Sequence, residues 1–217
     1  MDYYRAQHTK IVLFFIIMAV DFTTVAFAGV EVAITKKLPY LDVMHEGTKV
    51  RIQRIQDTSN KLNNSYTKTS RPCPPFCIQP IELYPSIKTV GEIELLKFLD
   101  TEVKNNTGLL VDARMPDWYE QGTIPGSVNI PFTILSAGLD SSHTSKIIKL
   151  LGATEKEGIW DFSKTKKLLL FCNGPWCSQS PFAIKNLLTL GYPPEKLVWY
   201  RGGMQYWQLF GLTTVTP

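Results

Sequence analysis

Short apolar runs, separated by polar turn residues, divide the chain into candidate strands. Residues 48–55 alternate apolar and polar side chains, as do residues 30–35, and this alternation is typical of half-exposed strands. Continuous apolar runs over residues 109–111, 168–171 and 197–200 instead predict strands that are buried on both faces, the second of which starts at Lys167.

Segments with apolar residues at helical spacing alternate with these strands. Thr89 and Glu92 fit a capping box, so a helix is predicted to start near Thr89. Further helices are predicted over residues 116–121, 133–139, 142–151, 178–190 and 204–210, and one more strand over residues 127–130. In the helix ended by Gly191, the side chains predicted to be largely buried are Phe182, Ile184, Leu187 and Leu188. Strands that alternate with helices form a parallel sheet with helices on both faces, so the predicted fold class is α/β.

Residues 1–28 have the composition of a signal peptide for export. Basic residues precede a ten-residue apolar segment, residues 11–20, and Ala26-Phe27-Ala28 supplies a small-x-small cleavage pattern. We therefore expect an exported protein, periplasmic or secreted, whose mature chain begins near Gly29. The alternative is an uncleaved membrane anchor, but Asp21 ends the apolar run well before the ~20 residues that a membrane span needs.

The rest of the chain divides into an N-terminal extension, residues 29–85, and a main domain, residues 86–217. The extension has short strands and a polar loop, and it is small for a separate core. The net charge of +4 lies in the first part, since residues 29–88 hold nine Lys or Arg against five Asp or Glu, whereas residues 89–217 hold twelve of each. These basic residues are scattered and no nucleic-acid motif accompanies them, so we expect a solvated face and no nucleic-acid partner.

Cys172 follows the apolar run of residues 168–171 and precedes the helix predicted from Ser178. A thiol in this position faces the unpaired N–H groups and the positive dipole end of a helix, and both favour the thiolate. Reactive groups in parallel sheets also lie beyond the carboxyl ends of strands. The pattern predicts an accessible, nucleophilic Cys172 with a lowered pKa; the alternative is a buried structural cysteine.

Several motifs occur in order along the main domain. They are Val111-Asp112-Ala113-Arg114, Trp118-Tyr119-Glu120, Gly122-Thr123-Ile124-Pro125-Gly126-Ser127-Val128-Asn129-Ile130-Pro131, the loop Cys172-Asn173-Gly174-Pro175-Trp176-Cys177-Ser178, and Trp199-Tyr200-Arg201-Gly202-Gly203 with Trp207 downstream. Together they resemble the rhodanese family of sulfurtransferase domains, over roughly residues 86–215. The resemblance implies a sulfurtransferase that carries sulfane sulfur as a persulfide on Cys172, with no cofactor.

The loop after Cys172 is expected to stabilise the persulfide anion with main-chain N–H groups. Gly174 allows a tight curve, whereas Pro175 has no N–H to donate. The expected donors are therefore the amides of Asn173, Trp176, Cys177 and Ser178.

The resemblance also implies supporting roles outside this loop. Asp112 is expected to order neighbouring loops, and Arg114 to form an ion pair, with Glu120 as a candidate partner. Gly202 and Gly203 are expected to support the site. Trp176, Tyr206 and Trp207 are candidates for the cavity wall, although such aromatic residues more often belong to a core.

The loop departs from the form C-R-x-G-x-R-S that many active rhodaneses carry. Asn173 and Cys177 occupy the two arginine positions, so a thiosulfate dianion is expected to bind poorly. A neutral persulfide donor, or a protein thiol or persulfide partner, fits the loop better. The sixth position after Cys172 is Ser178 rather than arginine, which argues against a phosphatase of the Cys-x5-Arg kind.

Two further cysteines, Cys73 and Cys77, flank a Pro-Pro-Phe segment of the extension. In an oxidising compartment the simplest expectation is a disulfide between them, and a redox relay to Cys172 is the alternative. A four-cysteine metal site is disfavoured because the spacings do not match metal knuckles, so no metal is expected.

Two other functions stay open at this stage. Cys172 and Cys177 are close enough in sequence for a dithiol–disulfide couple, which would make the protein a thiol–disulfide oxidoreductase. A rhodanese-like fold also serves as a non-catalytic interaction module in some proteins. A membrane partner is expected only if the signal segment stays uncleaved.

Overall fold

Nine strands are present in the computed structural model, which describes residues 32–62 and 64–217. The predicted signal segment lies outside the described residues. The strands are β1 (Tyr40–His45), β2 (Thr48–Gln53), β3 (Lys88–Val90), β4 (Gly108–Asp112), β5 (Ser127–Asn129), β6 (Thr154–Lys156), β7 (Ile159–Asp161), β8 (Lys167–Phe171) and β9 (Leu197–Tyr200). Five of them form one sheet in the order β3-β9-β8-β4-β5, and all neighbours in it are parallel.

Helices cover both faces of this sheet. They are α1 (Glu92–Phe98), which continues as a π turn over Leu99–Val103, α2 (Pro116–Glu120), α3 (Ser142–Leu150), α4 (Gln179–Thr189) and α5 (Gly203–Leu209). Side chains of β8 point alternately to the two faces: Leu169 and Phe171 join one core with residues of α1 and α5, and Leu168 and Leu170 join another with residues of α3 and α4. The predicted α/β class is confirmed.

Some local predictions were wrong. Thr89 lies in β3, and the helix begins after Gly91, whose N–H donates to the Glu94 carboxylate at 3.1 Å. Residues 32–35 form no strand, and residues 133–139 contain only a 3₁₀ turn, Ile134–Ala137. Tertiary packing decides these short segments, because local propensities are weak on their own.

Two further differences concern exposure and turn chemistry. Phe182 on α4 is 51% exposed, whereas Ile184 and Leu187 are buried as predicted. The hairpin of β6 and β7 was missed, although Glu157 and Gly158, both with positive φ, form the kind of turn that joins two antiparallel strands.

The N-terminal extension shares a core with the main domain. The hairpin of β1 and β2 is antiparallel, and its buried side chains Leu41 and Ile52 belong to the same cluster as Leu99 and Leu212. The extension also bonds to the end of the chain, since the Ile55 N–H donates to the Gly211 carbonyl at 2.7 Å. Across the residues described, no helix has the length and apolar character needed to cross a membrane.

Candidate functional site

Cys172 lies directly beyond the carboxyl end of β8, the middle strand of the sheet. The chain then turns through residues 173–178 into α4, which begins at Gln179. This is the position that the alternation of strand and helix predicted for a reactive group. The loop and the first turn of α4 together surround the thiol.

Several hydrogen bonds converge on the Sγ atom of Cys172. The hydroxyl of Ser180 donates at 3.1 Å, and the backbone N–H groups of Ser180 and Gly174 and the thiol of Cys177 add to the stabilisation of its charged form. The Cys172 thiol itself donates to the Cys177 carbonyl oxygen at 3.4 Å. Burial by itself raises the pKa of Cys172, but these hydrogen bonds outweigh it, so the pKa lies below its ordinary value. The predicted direction of the shift agrees with this environment.

The donors differ from those expected from the sequence. The Cys177 N–H donates to the Gly174 carbonyl at 2.9 Å and closes a turn inside the loop. The amides on the sulfur are instead those of Gly174 and Ser180. Ser180 was not singled out in the sequence, because nothing in the loop motif marks a residue one position inside the helix.

Cys177 contacts Cys172 but has a different character. Burial raises the pKa of Cys177 well above its ordinary value, and the hydrogen bond with Cys172 and its negative charge raise it further. Both cysteines are free thiols in the structure. The site therefore pairs an ionisable thiol with a neighbouring thiol that keeps its proton.

Cys172 is only 2% exposed, so the predicted accessible thiol is wrong for this structure. A cavity of about 150 Å³ borders the loop, with Cys177 rather than Cys172 in its wall. Within the described part of the chain, no lining residue is charged; they are Pro75, Phe76, Trp118, Asn173, Cys177, Ser178 and Gln179. Trp176, Tyr206 and Trp207, the predicted wall residues, do not line this cavity, and Trp207 is buried in the core.

Asp112 and Arg114 form an ion pair at the end of β4, and both side chains are fully buried. Arg114 Nη2 lies 2.6 Å from Asp112 Oδ2, and Nε lies 2.9 Å from Oδ1. The predicted ion pair of Arg114 with Glu120 is wrong: the short spacing from Asp112 to Arg114 at a strand end lets the two side chains pair locally. Asp112 also accepts from the Thr123 hydroxyl at 2.7 Å, which ties in the next loop as expected.

Arg114 connects this ion pair to the loop of Cys172. Its remaining donors reach the Gly122 carbonyl at 2.7 Å and, at 3.3 Å each, the Tyr66 hydroxyl and Asn173 Oδ1. Burial lowers the pKa of Arg114, but Asp112, Tyr66 and Cys172 favour the cation and the net shift is upward. Asn173, at one of the two loop positions where the resemblance would place arginine, is thus held by an arginine that lies two residues beyond β4.

Gly203 is required where α5 meets the loop. Its φ is +56°, and a Cβ there would lie 2.2 Å from the Cys172 carbonyl oxygen and 2.7 Å from the Gly174 nitrogen. This close approach lets the Met204 N–H donate to the Cys172 carbonyl at 3.0 Å. Gly202 is similarly crowded, since a Cβ there would lie 2.9 Å from the ring of Tyr200 and from the Cβ atom of Tyr206. The supporting role predicted for the two glycines fits this packing.

Residues 71–80 of the extension, which we call the lid segment, pack directly on the loop of Cys172. A disulfide joins Cys73 and Cys77, which is the pairing predicted from the sequence. The ring of Phe76 meets that of Trp176 edge-on with centroids 5.3 Å apart, and the Arg71 guanidinium lies 4.0 Å from the centre of the Trp176 ring.

Backbone contacts fix the far end of the lid segment. The Gln79 N–H donates to the Pro175 carbonyl at 2.8 Å, and Arg201 donates to the Gln79 carbonyl at 2.8 Å. Sequence reasoning missed this arrangement, because no local pattern shows that the extension folds over a loop almost a hundred residues further along the chain. Among the residues that the structure describes, no three His, Cys, Asp or Glu side chains are grouped so as to hold a metal ion.

The fold and the site define an α/β domain with a cysteine loop between the central parallel strand and its following helix. The model of the family described as "Rhodanese-like domain" matches residues 94–209, more than half of the chain. The chain belongs to this family. No curated protein matches it.

Solved structures similar to this chain include two single-domain sulfurtransferases. The human protein TSTD1 is 25% identical over 56% of this chain and 95% of its own, with a TM-score of 0.40. RDL2 from Saccharomyces cerevisiae is 21% identical over 58% of this chain and 91% of its own, with a TM-score of 0.42. A protein of unknown function from Rhodopseudomonas palustris, titled a possible tyrosine phosphatase, is 23% identical over 60% of this chain and 86% of its own, with a TM-score of 0.44.

Proposed function

We propose that this protein is a sulfurtransferase in which Cys172 accepts a sulfane sulfur atom and holds it as a persulfide. One observation carries the proposal: hydrogen bonds from Ser180, Gly174 and Cys177 converge on the Cys172 sulfur and lower its pKa although the thiol is buried. A structural cysteine in an apolar core has no such donors, and its pKa rises. Membership of the rhodanese-like family supports the same reading.

The transfer begins with the Cys172 thiolate. It attacks the outer sulfur of a hydropersulfide, R–S–SH, so that a new S–S bond forms on Cys172 while the bond between the two donor sulfurs breaks. The donor leaves as R–SH with the proton of the hydropersulfide, and the persulfide anion stays on the enzyme. The amides of Gly174 and Ser180, already aimed at this region, supply N–H groups for that charge.

The cavity favours a small uncharged donor over thiosulfate. None of the described side chains that line it is charged. Two cations lie near the loop. The donors of Arg114 are taken by Asp112, Gly122, Tyr66 and Asn173, and Arg71 lies over the rings of Trp176 and Phe76 without lining the cavity. A dianion therefore finds no charged side chain in the described cavity lining to replace its hydration, whereas a neutral hydropersulfide loses less on entering.

Access of the donor requires the lid segment to move. Pro75 and Phe76 form one wall of the cavity, and the Cys172 thiol is closed off in the packed arrangement. The lid rests on aromatic contacts and a few backbone hydrogen bonds, so local opening needs much less free energy than unfolding of the sheet. Donor and acceptor would then reach the thiol from this side.

We also propose that the protein works after export, in the periplasm or outside the cell. The signal-like composition of residues 1–28 and the paired Cys73 and Cys77 of the extension support this location. Its partners would be a small sulfur donor and a thiol or persulfide acceptor, including a protein thiol, and not nucleic acid. Contact with a membrane is expected only if residues 1–28 remain attached.

Replacing Cys172 by Ser tests the proposal. The hydroxyl keeps the size of the side chain but is a far weaker nucleophile, so sulfur transfer from a small alkyl hydropersulfide to cyanide should fall by a factor of about 10³ or more. Peptide mass mapping of wild-type protein quenched during turnover should find one sulfur added transiently to Cys172, and the protein should react poorly with thiosulfate. Thermal melting of the variant checks that it is folded.

Two results would refute the assignment. A folded Cys172→Ser protein that transfers sulfur at the wild-type rate removes Cys172 from the reaction. A folded wild-type protein that takes up no sulfur from any donor points to an interaction module instead.

The contact between Cys172 and Cys177 favours a second candidate, a thiol–disulfide oxidoreductase. In that case the purified protein should cycle between dithiol and Cys172–Cys177 disulfide with a protein dithiol partner and without any sulfur donor. Disulfide mapping after exchange with reduced and oxidised thioredoxin separates this candidate from the transferase.

A further inference from the structure

We propose that Cys177 is a resolving thiol, which attacks the Cys172 persulfide and releases its sulfane sulfur as hydrogen sulfide. The proposal rests on the function above, since it needs the persulfide on Cys172. It goes further by assigning a second reacting residue and by naming the product, sulfide, together with a Cys172–Cys177 disulfide.

The first argument concerns which of the two persulfide sulfurs lies next to Cys177. The Cys177 thiol is one of the groups that interact with the Sγ atom of Cys172, and the Cys172 thiol donates to the Cys177 carbonyl oxygen at 3.4 Å. Once a persulfide has formed, Sγ is the inner of its two sulfurs. Attack on the inner sulfur expels the outer one as sulfide, whereas attack on the outer sulfur would merely move it to Cys177. The contact with Sγ therefore favours release over relocation.

The second argument is the balance of the step. A bond forms between the two Sγ atoms, and the bond from Cys172 Sγ to the outer sulfur breaks. The outer sulfur leaves with the bonding electron pair and is reduced to sulfide, while the two cysteines are oxidised to the disulfide. The proton of the Cys177 thiol passes to the departing sulfur, giving HS⁻ from the persulfide anion. No external oxidant is needed, and a dithiol reductant afterwards restores both thiols.

The third argument concerns the proton that the departing sulfur needs. Burial and the neighbouring Cys172 both raise the pKa of Cys177, so its thiol keeps its proton until the reaction. As the new S–S bond forms, this proton passes to the persulfide anion, since a thiolate rather than a thiol is the attacking species.

The fourth argument is competition with other acceptors. The lid segment covers the loop, and Cys172 is 2% exposed, so an external thiol must wait for the lid to open. Cys177 is held beside Cys172 by the turn that joins its N–H to the Gly174 carbonyl at 2.9 Å. A nucleophile fixed in contact reacts as if present at very high concentration.

The fifth argument concerns the path by which the sulfide leaves the site. Cys177 lines the cavity of about 150 Å³ beside the loop, and the lining has no positive charge among the described residues that would retain an anion. Sulfide is small enough for this space. The cavity thus gives the leaving sulfur a place to go without displacement of the lid.

A single-turnover experiment on the full chain tests the inference, with the Cys73–Cys77 disulfide kept intact. One equivalent of a small alkyl hydropersulfide is added anaerobically to the wild type and to Cys177→Ser, without reductant. In the wild type we expect one sulfide per chain and a Cys172–Cys177 disulfide in the peptide map. In Cys177→Ser, whose hydroxyl still donates to Cys172 but cannot resolve, we expect a retained sulfur on Cys172 and about tenfold less sulfide or lower still.

The outcomes separate the two proposals. A wild type that keeps its persulfide on Cys172 and releases no more sulfide than Cys177→Ser overturns the resolving role but leaves the transferase intact. Sulfur found on Cys177 with Cys172 free also overturns it, in favour of relocation. If neither protein takes up sulfur, the transferase itself fails and the resolving role with it. The wild-type disulfide map decides the matter even if Cys177→Ser does not fold.

Discussion

Ser180 illustrates how single contacts set the chemistry at the residue scale. Its hydroxyl donates to Cys172 Sγ at 3.1 Å and accepts from Trp199 Nε1 at 3.0 Å. Because the buried indole N–H occupies a lone pair of the hydroxyl oxygen, the hydroxyl hydrogen is directed at the sulfur. A polar side chain that is fully buried is thus satisfied on both sides, and the thiolate gains an oriented donor.

Removing this donor should make Cys172 less reactive. In Ser180→Ala the pKa of Cys172 rises, because a hydrogen bond to the charged form is lost, so the thiolate fraction near neutral pH falls. A hydrogen bond to a charged group contributes about 1.5–3 kcal/mol, so alkylation of Cys172 at pH 7 should slow about tenfold or more. The measurement is the rate of iodoacetamide labelling against pH, with the label located by mass spectrometry.

Ser178→Ala serves as the matched control, since it removes a hydroxyl from the same loop. Its pH profile should stay close to that of the wild type. An unchanged midpoint in Ser180→Ala would show that the Ser180 hydroxyl does not stabilise the thiolate.

At the scale of elements, the lid segment is held in shape by a short covalent link. The Cys73–Cys77 disulfide closes a loop that presents Phe76 to Trp176. Loop-closure arguments give a stabilisation of about 2 kcal/mol for a loop this short, which acts on the lid rather than on the sheet. We therefore expect the disulfide to limit how often the lid exposes Cys172.

The double variant Cys73→Ser and Cys77→Ser should open the site more often. We expect alkylation of Cys172 to accelerate, by up to about 30-fold if the whole stabilisation is lost from the lid. A bulky maleimide should show a larger acceleration than iodoacetamide, because it needs a wider opening. Equal labelling rates in variant and wild type, for both reagents, would contradict the lid assignment.

For the molecule as a whole, the extension and the sheet share one hydrophobic core. Ile52 in β2 is fully buried in the same cluster as Leu99 and Leu212. Since β1 and β2 have no separate core in the described structure, we expect residues 29–85 and 86–217 to unfold together.

Ile52→Ala should therefore destabilise the entire protein. Truncation of a buried isoleucine costs about 2–5 kcal/mol, and we expect this loss in a single urea transition that is the same by circular dichroism and tryptophan fluorescence. Met44→Ala on the neighbouring strand is the control, because Met44 is 59% exposed and should change stability by less than about 0.5 kcal/mol. Two separate transitions, with only one of them shifted, would show that the extension folds on its own.

The sequence by itself determined the parallel α/β class and the place of Cys172, because both follow from local order: apolar strands alternating with helices, and a cysteine where the run 168–171 ends. The tertiary structure alone decided which groups surround that thiol. Ser180, Tyr66 and the lid segment reach the loop through packing between distant parts of the chain, and the ion partner of Arg114 depended on side-chain direction at a strand end. Such contacts leave no periodic signal, since they depend on how elements are arranged in space and not on their spacing in sequence.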